Sequence, residues 1–232
     1  MIMHYNPIIC AIDSSDLAVA KKLIKATSPH VGLIKLGLEF FTAFGREGVN
    51  EVVKSGAPVF LDLKLHDIPN TVSSAVAAAV SLNVEMLTVH ASGGSEMLAA
   101  AVKAANKKTK ILAVTVLTSL NESDLQSIGF SKRTVTEQVL QLADIAYKSG
   151  VDGIVCSANE LEELKKIYKD KLKFVVPGIR PQGSDVGDQK RVMTPTQAIQ
   201  KGADYIVIGR PITNSKDPAK AAEEIYKNLV MS

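Results

Sequence analysis

The sequence contains no tryptophan, and all aromatics together make up only 5% of it. Proteins that hold single-stranded nucleic acid by stacking need aromatic platforms, so the composition argues against that class. Cysteine is nearly as scarce. Cys10 and Cys156 are the only two, and both lie in apolar, strand-like runs. They read as small core residues of a reducing compartment, not as a disulfide framework. The four histidines, His4, His30, His66 and His90, have no zinc-binding spacing. No segment has the length and apolarity of a membrane span. Met1 to Pro7 shows no basic region followed by an apolar run, so no secretory signal is expected. The net charge of +3 is too slight to call for a nucleic-acid or membrane partner, yet it is compatible with anionic small molecules. A cytoplasmic protein is expected.

What is present is a core. Of 232 residues, 46% are hydrophobic and 22% charged, as a globular protein of this size requires. Eight short apolar runs alternate with helical patterns. The strands are expected at 8–12, 33–36, 59–64, 86–90, 111–117, 153–156, 174–176 and 205–208. Helices are expected after each, with Ser14 or Ser15 capping the first and the second running from Gly45 to Lys54. Thr118 to Thr134 reads as a polar connector with a short helix near Ser123. Pro177 to Met193 has no apolar periodicity and reads as a long mobile loop, a feature usually tied to function. Eight βα units without a linker or composition break argue for one closed (β/α)₈ TIM barrel, a single catalytic domain over residues 1–232. An open doubly wound sheet would carry a Gly-rich phosphate turn after its first strand. Here that turn is Asp13-Ser14-Ser15-Asp16.

The third run carries the chemistry. Val59, Phe60, Leu61 and Leu63 form a near-continuous apolar strand of the kind covered on both faces. Asp62 and Lys64 interrupt it, and a period of two points both to one face. Asp67 follows in the turn, and Pro69 opens the next helix. Burying charge costs several kcal/mol per ion unless it is paired. One explanation is a structural ion pair, with Asp67 capping the helix. That accounts for two residues only. The strand ends that form a barrel's active face also present Asp13, Lys35, Thr118, Arg180, Gln189 and Gly209-Arg210. The loops after strands seven and eight often hold phosphate in this fold, and Gly209 with the forked donors of Arg210 suits that role. Lys35, Asp62, Lys64 and Asp67 alternate in sign. Such an array fits a reaction in which negative charge moves or disappears, with Lys64 able to protonate a developing carbanion.

Taken together, Asp62-x-Lys64-x-x-Asp67-Ile68-Pro69-Asn70-Thr71, Ala11-Ile12-Asp13, Lys35-Leu36-Gly37, Val114 to Ser119, Pro177-Gly178-Ile179-Arg180 and Tyr205 to Ile212 resemble the orotidine 5′-phosphate decarboxylase family, of the compact bacterial and archaeal kind. The resemblance implies cofactor-independent decarboxylation of orotidine 5′-monophosphate to uridine 5′-monophosphate, the last step of pyrimidine nucleotide synthesis, with no metal. It implies that Lys64 protonates C6 and that Asp62 lies beside the departing carboxylate. Asp67, Ile68 and Thr71 would serve the site of a second subunit, in a homodimer with shared active sites. Asp13 and Lys35 would bind the ribose, Thr118 the pyrimidine, and Arg180, Gln189, Gly209 and Arg210 the phosphate. The nearest rival is a magnesium-dependent sugar-phosphate decarboxylase or aldolase on the same barrel. Such enzymes resemble this sequence in D-x-K-x-x-D but carry a metal-binding Glu on strand two, where Lys35 stands and would repel Mg²⁺. A non-catalytic phosphate-binding barrel would need Arg180 and Arg210 but not Lys64.

Overall fold

The computed structural model describes residues 6–130, 134–181 and 193–231. Eight parallel strands pair in chain order and close on themselves, β1 against β8. They are β1 (Ile8–Ile12), β2 (Leu33–Leu36), β3 (Val59–Leu65), β4 (Met86–His90), β5 (Lys110–Val114), β6 (Gly153–Val155), β7 (Lys173–Val176) and β8 (Tyr205–Ile208). The α-helices among the described residues are α1 (Leu17–Thr27), α2 (Leu38–Lys54), α3 (Pro69–Val80), α4 (Gly94–Ala105), α5 (Glu122–Ser127), α6 (Val135–Lys148), α7 (Leu161–Tyr168), α8 (Pro195–Gln200), α9 (Arg210–Thr213) and α10 (Pro218–Val230).

Alternation along each strand divides the core in two. Ile8, Cys10 and Ile12 of β1, Ile34 and Leu36 of β2, and Val59 and Leu61 of β3 belong to the large cluster shared with the helices. Ile9, Ala11, Leu33, Phe60, Met86, Leu112, Val175 and Val207 form a smaller cluster inside the barrel. Each large apolar side chain fully removed from water contributes about 1.5–3 kcal/mol. Most of that burial lies between sheet and helices. The inner face therefore needs only an apolar floor, and its upper layer is left for polar groups. Asp13, Lys35 and Asp62 stand one inward step above Ala11, Leu33 and Phe60. Both cysteines are buried and unpaired. Burial pushes the Cys10 thiol up to about 12 and the Cys156 thiol up as well, so neither is reactive.

Several boundaries differ from the sequence expectation. Neither serine caps α1. Asp16 does, accepting from the amides of Ala18 and Val19 at 2.8 and 3.1 Å. Segment α2 is two helical pieces that meet at Gly45, whose φ 56 and ψ −150 are not helical. The second piece is the helix expected to Lys54, and the piece that begins at Leu38 was not expected. Strand β5 stops at Val114, so Thr118 sits in the following loop. Helix α9 follows Gly209 directly, where no helix was expected. Of the loop at 177–193, residues 182–192 lie outside the described residues, and Gln189 with them.

Candidate active site

The C-terminal mouth of the barrel opens into a cavity of about 320 Å³. Part of its lining is charged, made of Lys35, Asp62 and Lys64; another part is apolar, with Val116, Val155 and Val207. Thr118 and Ser119 add hydroxyls at its rim. An apolar ring with a charged edge would fit such a space.

The charged wall is a chain of alternating signs. Lys64 Nζ lies 2.9 Å from Asp62 Oδ2, Lys35 Nζ lies 3.4 Å from the same oxygen, and Asp13 Oδ1 lies 3.7 Å from Lys35 Nζ. Lys35 and Asp62 are buried, at 9% and 8% exposure. Gly37 makes room at the start of this chain. A Cβ there would stand 2.9 Å from Asp13 Oδ1 and 3.2 Å from Lys35 Nζ, so any side chain would push the pair apart.

Burial pushes the Asp62 carboxyl up, but the opposing effects win. The Lys35 and Lys64 charges, with hydrogen bonds from Lys64 and Thr88, hold it below its ordinary value. Asp62 is therefore anionic at neutral pH and does not serve as an acid. Of the two ammonium groups on the wall, that of Lys64 is the more open, at 29% side-chain exposure against 11% for Lys35.

The backbone beneath Lys64 is unusual. Leu61 pairs with Leu87 and Leu65 with Val89, so the register shifts between them. Three residues of β3, Asp62 to Lys64, face the single residue Thr88. Lys64 takes the left-handed conformation at φ 51, uncommon for a residue with a Cβ. Bulges of this kind re-aim side chains beside active sites. Thr88 is fully buried. Its hydroxyl accepts from the Lys64 backbone amide at 2.9 Å and donates to Asp62 Oδ1 at 2.9 Å. Sequence reasoning missed it. The available signal was a polar residue at an inward position of the apolar strand Met86–His90.

Asp13, Lys35, Asp62 and Lys64 are thus brought together, and Thr118 lines the same cavity. Asp67, Ile68 and Thr71 do not line it. They sit outside the mouth, with Ile68 66% exposed. The Asp67 carboxylate accepts from the Ile68 amide at 2.6 Å. It does not cap α3, whose N-cap is Ile68 without a side-chain bond. Arg180 follows β7 and donates from Nη1 to the Ile179 carbonyl at 3.1 Å. Gly209 and Arg210 form the β8–α9 junction, where Gly209 leaves 3.4 Å between a Cβ and that of Ala11. A second pair of groups lies nearby: the rings of His66 and His90 are 5.5 Å apart. Burial, then the charges of His66 and Lys64, push His90 below its ordinary value, against the pull of Asp62.

Comparison with known proteins agrees over nearly the whole chain. The family model described as orotidine 5′-phosphate decarboxylase / HUMPS family matches residues 6–225. The orotidine 5′-phosphate decarboxylase of Ehrlichia chaffeensis is 52% identical over 229 residues, covering 98% of both chains. That of Sphingopyxis alaskensis is 51% identical over 224 residues, covering 97% of this chain and 99% of the other. The crystal structure of orotidine 5′-phosphate decarboxylase from Lactobacillus acidophilus superposes with a TM-score of 0.86 at 37% identity, covering 97% of this chain and 99% of that one.

Proposed function

This chain belongs to the orotidine 5′-phosphate decarboxylase / HUMPS family, and we propose how its own residues carry the family's chemistry. It is an orotidine 5′-phosphate decarboxylase, a carboxy-lyase that converts orotidine 5′-monophosphate to uridine 5′-monophosphate and CO₂. The observation that carries the assignment of roles is the Asp13–Lys35–Asp62–Lys64 chain of ion pairs opening on one cavity.

The pyrimidine ring enters the cavity with its carboxylated edge toward Asp62 and Lys64 and its face against the apolar wall. The C6–carboxylate bond breaks, CO₂ leaves, and the electron pair stays on C6. The Lys64 ammonium donates a proton to C6 and regains one from solvent. Asp62, held anionic, is fixed where the substrate carboxylate stands and where negative charge disappears as CO₂ departs. Preorganised charges aimed at the site of change are the strongest catalytic device available to a protein. Lys35 holds Asp62 in place and, with Asp13, addresses the ribose hydroxyls. Thr118 addresses the ring.

Arg180 and Arg210 follow β7 and β8, where barrels of this class hold phosphate. With Gly209 and Gln189 they bind the 5′-phosphate. The phosphate is remote from the bond that breaks, so its binding energy serves to hold the ring against the charged wall. Asp67, Ile68 and Thr71 lie outside the mouth of their own barrel, and the apolar Ile68 is left in water. This supports a homodimer in which they complete the site of the other subunit. The whole chain then acts as one catalytic domain, in the cytoplasm, without metal or organic cofactor and with no nucleic-acid or membrane partner. Lys35 on β2 argues against a magnesium-dependent reaction, since that metal takes oxygen ligands.

The test is a spectrophotometric assay of purified protein with orotidine 5′-monophosphate, with and without EDTA. Rapid loss of substrate absorbance that EDTA leaves unchanged is expected. No turnover by folded protein, or turnover abolished by EDTA and restored by Mg²⁺, would overturn the proposal.

A further inference from the structure

We propose that Thr88 is a positioning residue for the decarboxylation, acting through Asp62 and Lys64 together; the inference rests on the decarboxylase reading above.

The argument begins with the register. Between the pairs Leu61–Leu87 and Leu65–Val89, β3 has two more residues than β4. The extra length carries Asp62 and Lys64 inward and leaves Lys64 at φ 51. A bulge of this size disrupts the ladder, and buried backbone donors still need partners. Thr88 supplies one. Its Oγ1 accepts the Lys64 amide, which can only donate, so its own proton is directed to Asp62 Oδ1, which as a carboxylate can only accept. The hydroxyl therefore has a single orientation. One side chain ties the left-handed backbone of the proton donor to the carboxylate beside it, while Asp62 Oδ2 holds the two ammoniums.

The hydroxyl is what the two contacts need. Valine has the shape without the hydroxyl; serine has the hydroxyl without the methyl that packs at this fully buried position. A hydroxyl lost here frees the Asp62 carboxylate to rotate and removes the tether on Lys64. The cost appears in the chemical step, because the phosphate contacts lie elsewhere and Lys35 keeps its pairing with Asp13.

The experiment compares wild type, Thr88→Val and Thr88→Ser in steady-state turnover of orotidine 5′-monophosphate and in ¹³C NMR titration of the Asp62 carboxyl in unliganded protein. Thr88→Val is expected to lower kcat about 10²-fold, the scale of a misplacement near 1 Å. Its KM should stay within about 3-fold, as for an interaction used only in the transition state. Thr88→Ser should recover most of kcat. Asp62 should titrate at higher pH in Thr88→Val than in wild type or Thr88→Ser, because a hydrogen bond to the charged form is gone. Where Thr88→Val does not fold, Thr88→Ala against Thr88→Ser is read the same way. Native kcat in the hydroxyl-free variant, or equal impairment with and without the hydroxyl, would overturn the proposal. Should wild type fail to turn over this substrate, the assignment of function falls. The NMR titration still decides the role of Thr88, and an Asp62 titration indifferent to the hydroxyl would refute it.

Discussion

Replacing Asp62 by asparagine removes one charge and almost no volume. In the native protein two ammonium groups share Asp62 Oδ2, at 2.9 Å from Lys64 and 3.4 Å from Lys35. The variant leaves both facing a neutral amide. Lys35 keeps Asp13 at 3.7 Å, but Lys64 has no other ion-pair partner among the described residues. Removing one member of a buried pair costs about 3–5 kcal/mol. Lys64 retains contact with solvent and Lys35 retains Asp13, so the lower end applies, about 3 kcal/mol. For a chain of this size each kcal/mol moves Tm by roughly 2–4 °C, so a fall of about 6–12 °C is expected. The assay is urea unfolding of unliganded protein, followed by circular dichroism, beside a thermal scan. The m-value should be unchanged, since the surface exposed on unfolding is the same. A second effect has the opposite sign. Asparagine does not repel the substrate carboxylate, so KM should not rise while kcat collapses. Stability within about 0.5 kcal/mol of wild type, the ordinary range for a surface change, would refute the view that Asp62 organises the two lysines.

Arg210→Ala should raise KM for the phosphorylated substrate more than it lowers kcat for bound substrate. Equal affinity of wild type and variant for phosphorylated substrate would contradict a phosphate role. If active sites are shared, mixing Lys64→Ala dimers with Asp67→Ala dimers should restore activity, up to about a quarter of wild type from statistical exchange of two-fold subunits. Continued inactivity after verified subunit exchange would show that Asp67 serves its own barrel. His90 is held below its ordinary value of 6.5, so the unfolded chain takes up its proton first as pH falls. Its contribution is complete above 6.5 and declines below it. His90→Gln should therefore lose less stability than wild type as pH falls below 6.5, measured by urea midpoints; parallel losses would exclude His90 as a contributor.

Much of this site could be read from residue order alone, because strand periodicity is local. Asp62 and Lys64, two apart in an apolar run, meet on one face as expected, and Lys35 joins them from the neighbouring strand. Thr88 was not legible in this way. Its role depends on which residue of β4 lies opposite the bulge, and that register is set by pairings on both sides of the irregular stretch. The cap of α1 was missed for a different reason. Asp13-Ser14-Ser15-Asp16 offers four capping residues in a row, and only the point at which β1 ends selects Asp16. In α2 the glycine at 45 reads as a boundary, and its non-helical backbone makes it one; the helical piece before it, from Leu38, was not read. Asp67 and Ile68 were legible as residues of interest through the resemblance, which assigns them to a second subunit; among the described residues neither lines the cavity of its own barrel.

The central claim is that Lys64 is the proton donor of a site whose fold does not depend on it. The most direct measurement is turnover of orotidine 5′-monophosphate by Lys64→Ala, with circular dichroism and thermal unfolding on the same preparation. The account predicts a folded protein with no measurable uridine 5′-monophosphate formed. A folded Lys64→Ala variant turning over near the wild-type rate would contradict it.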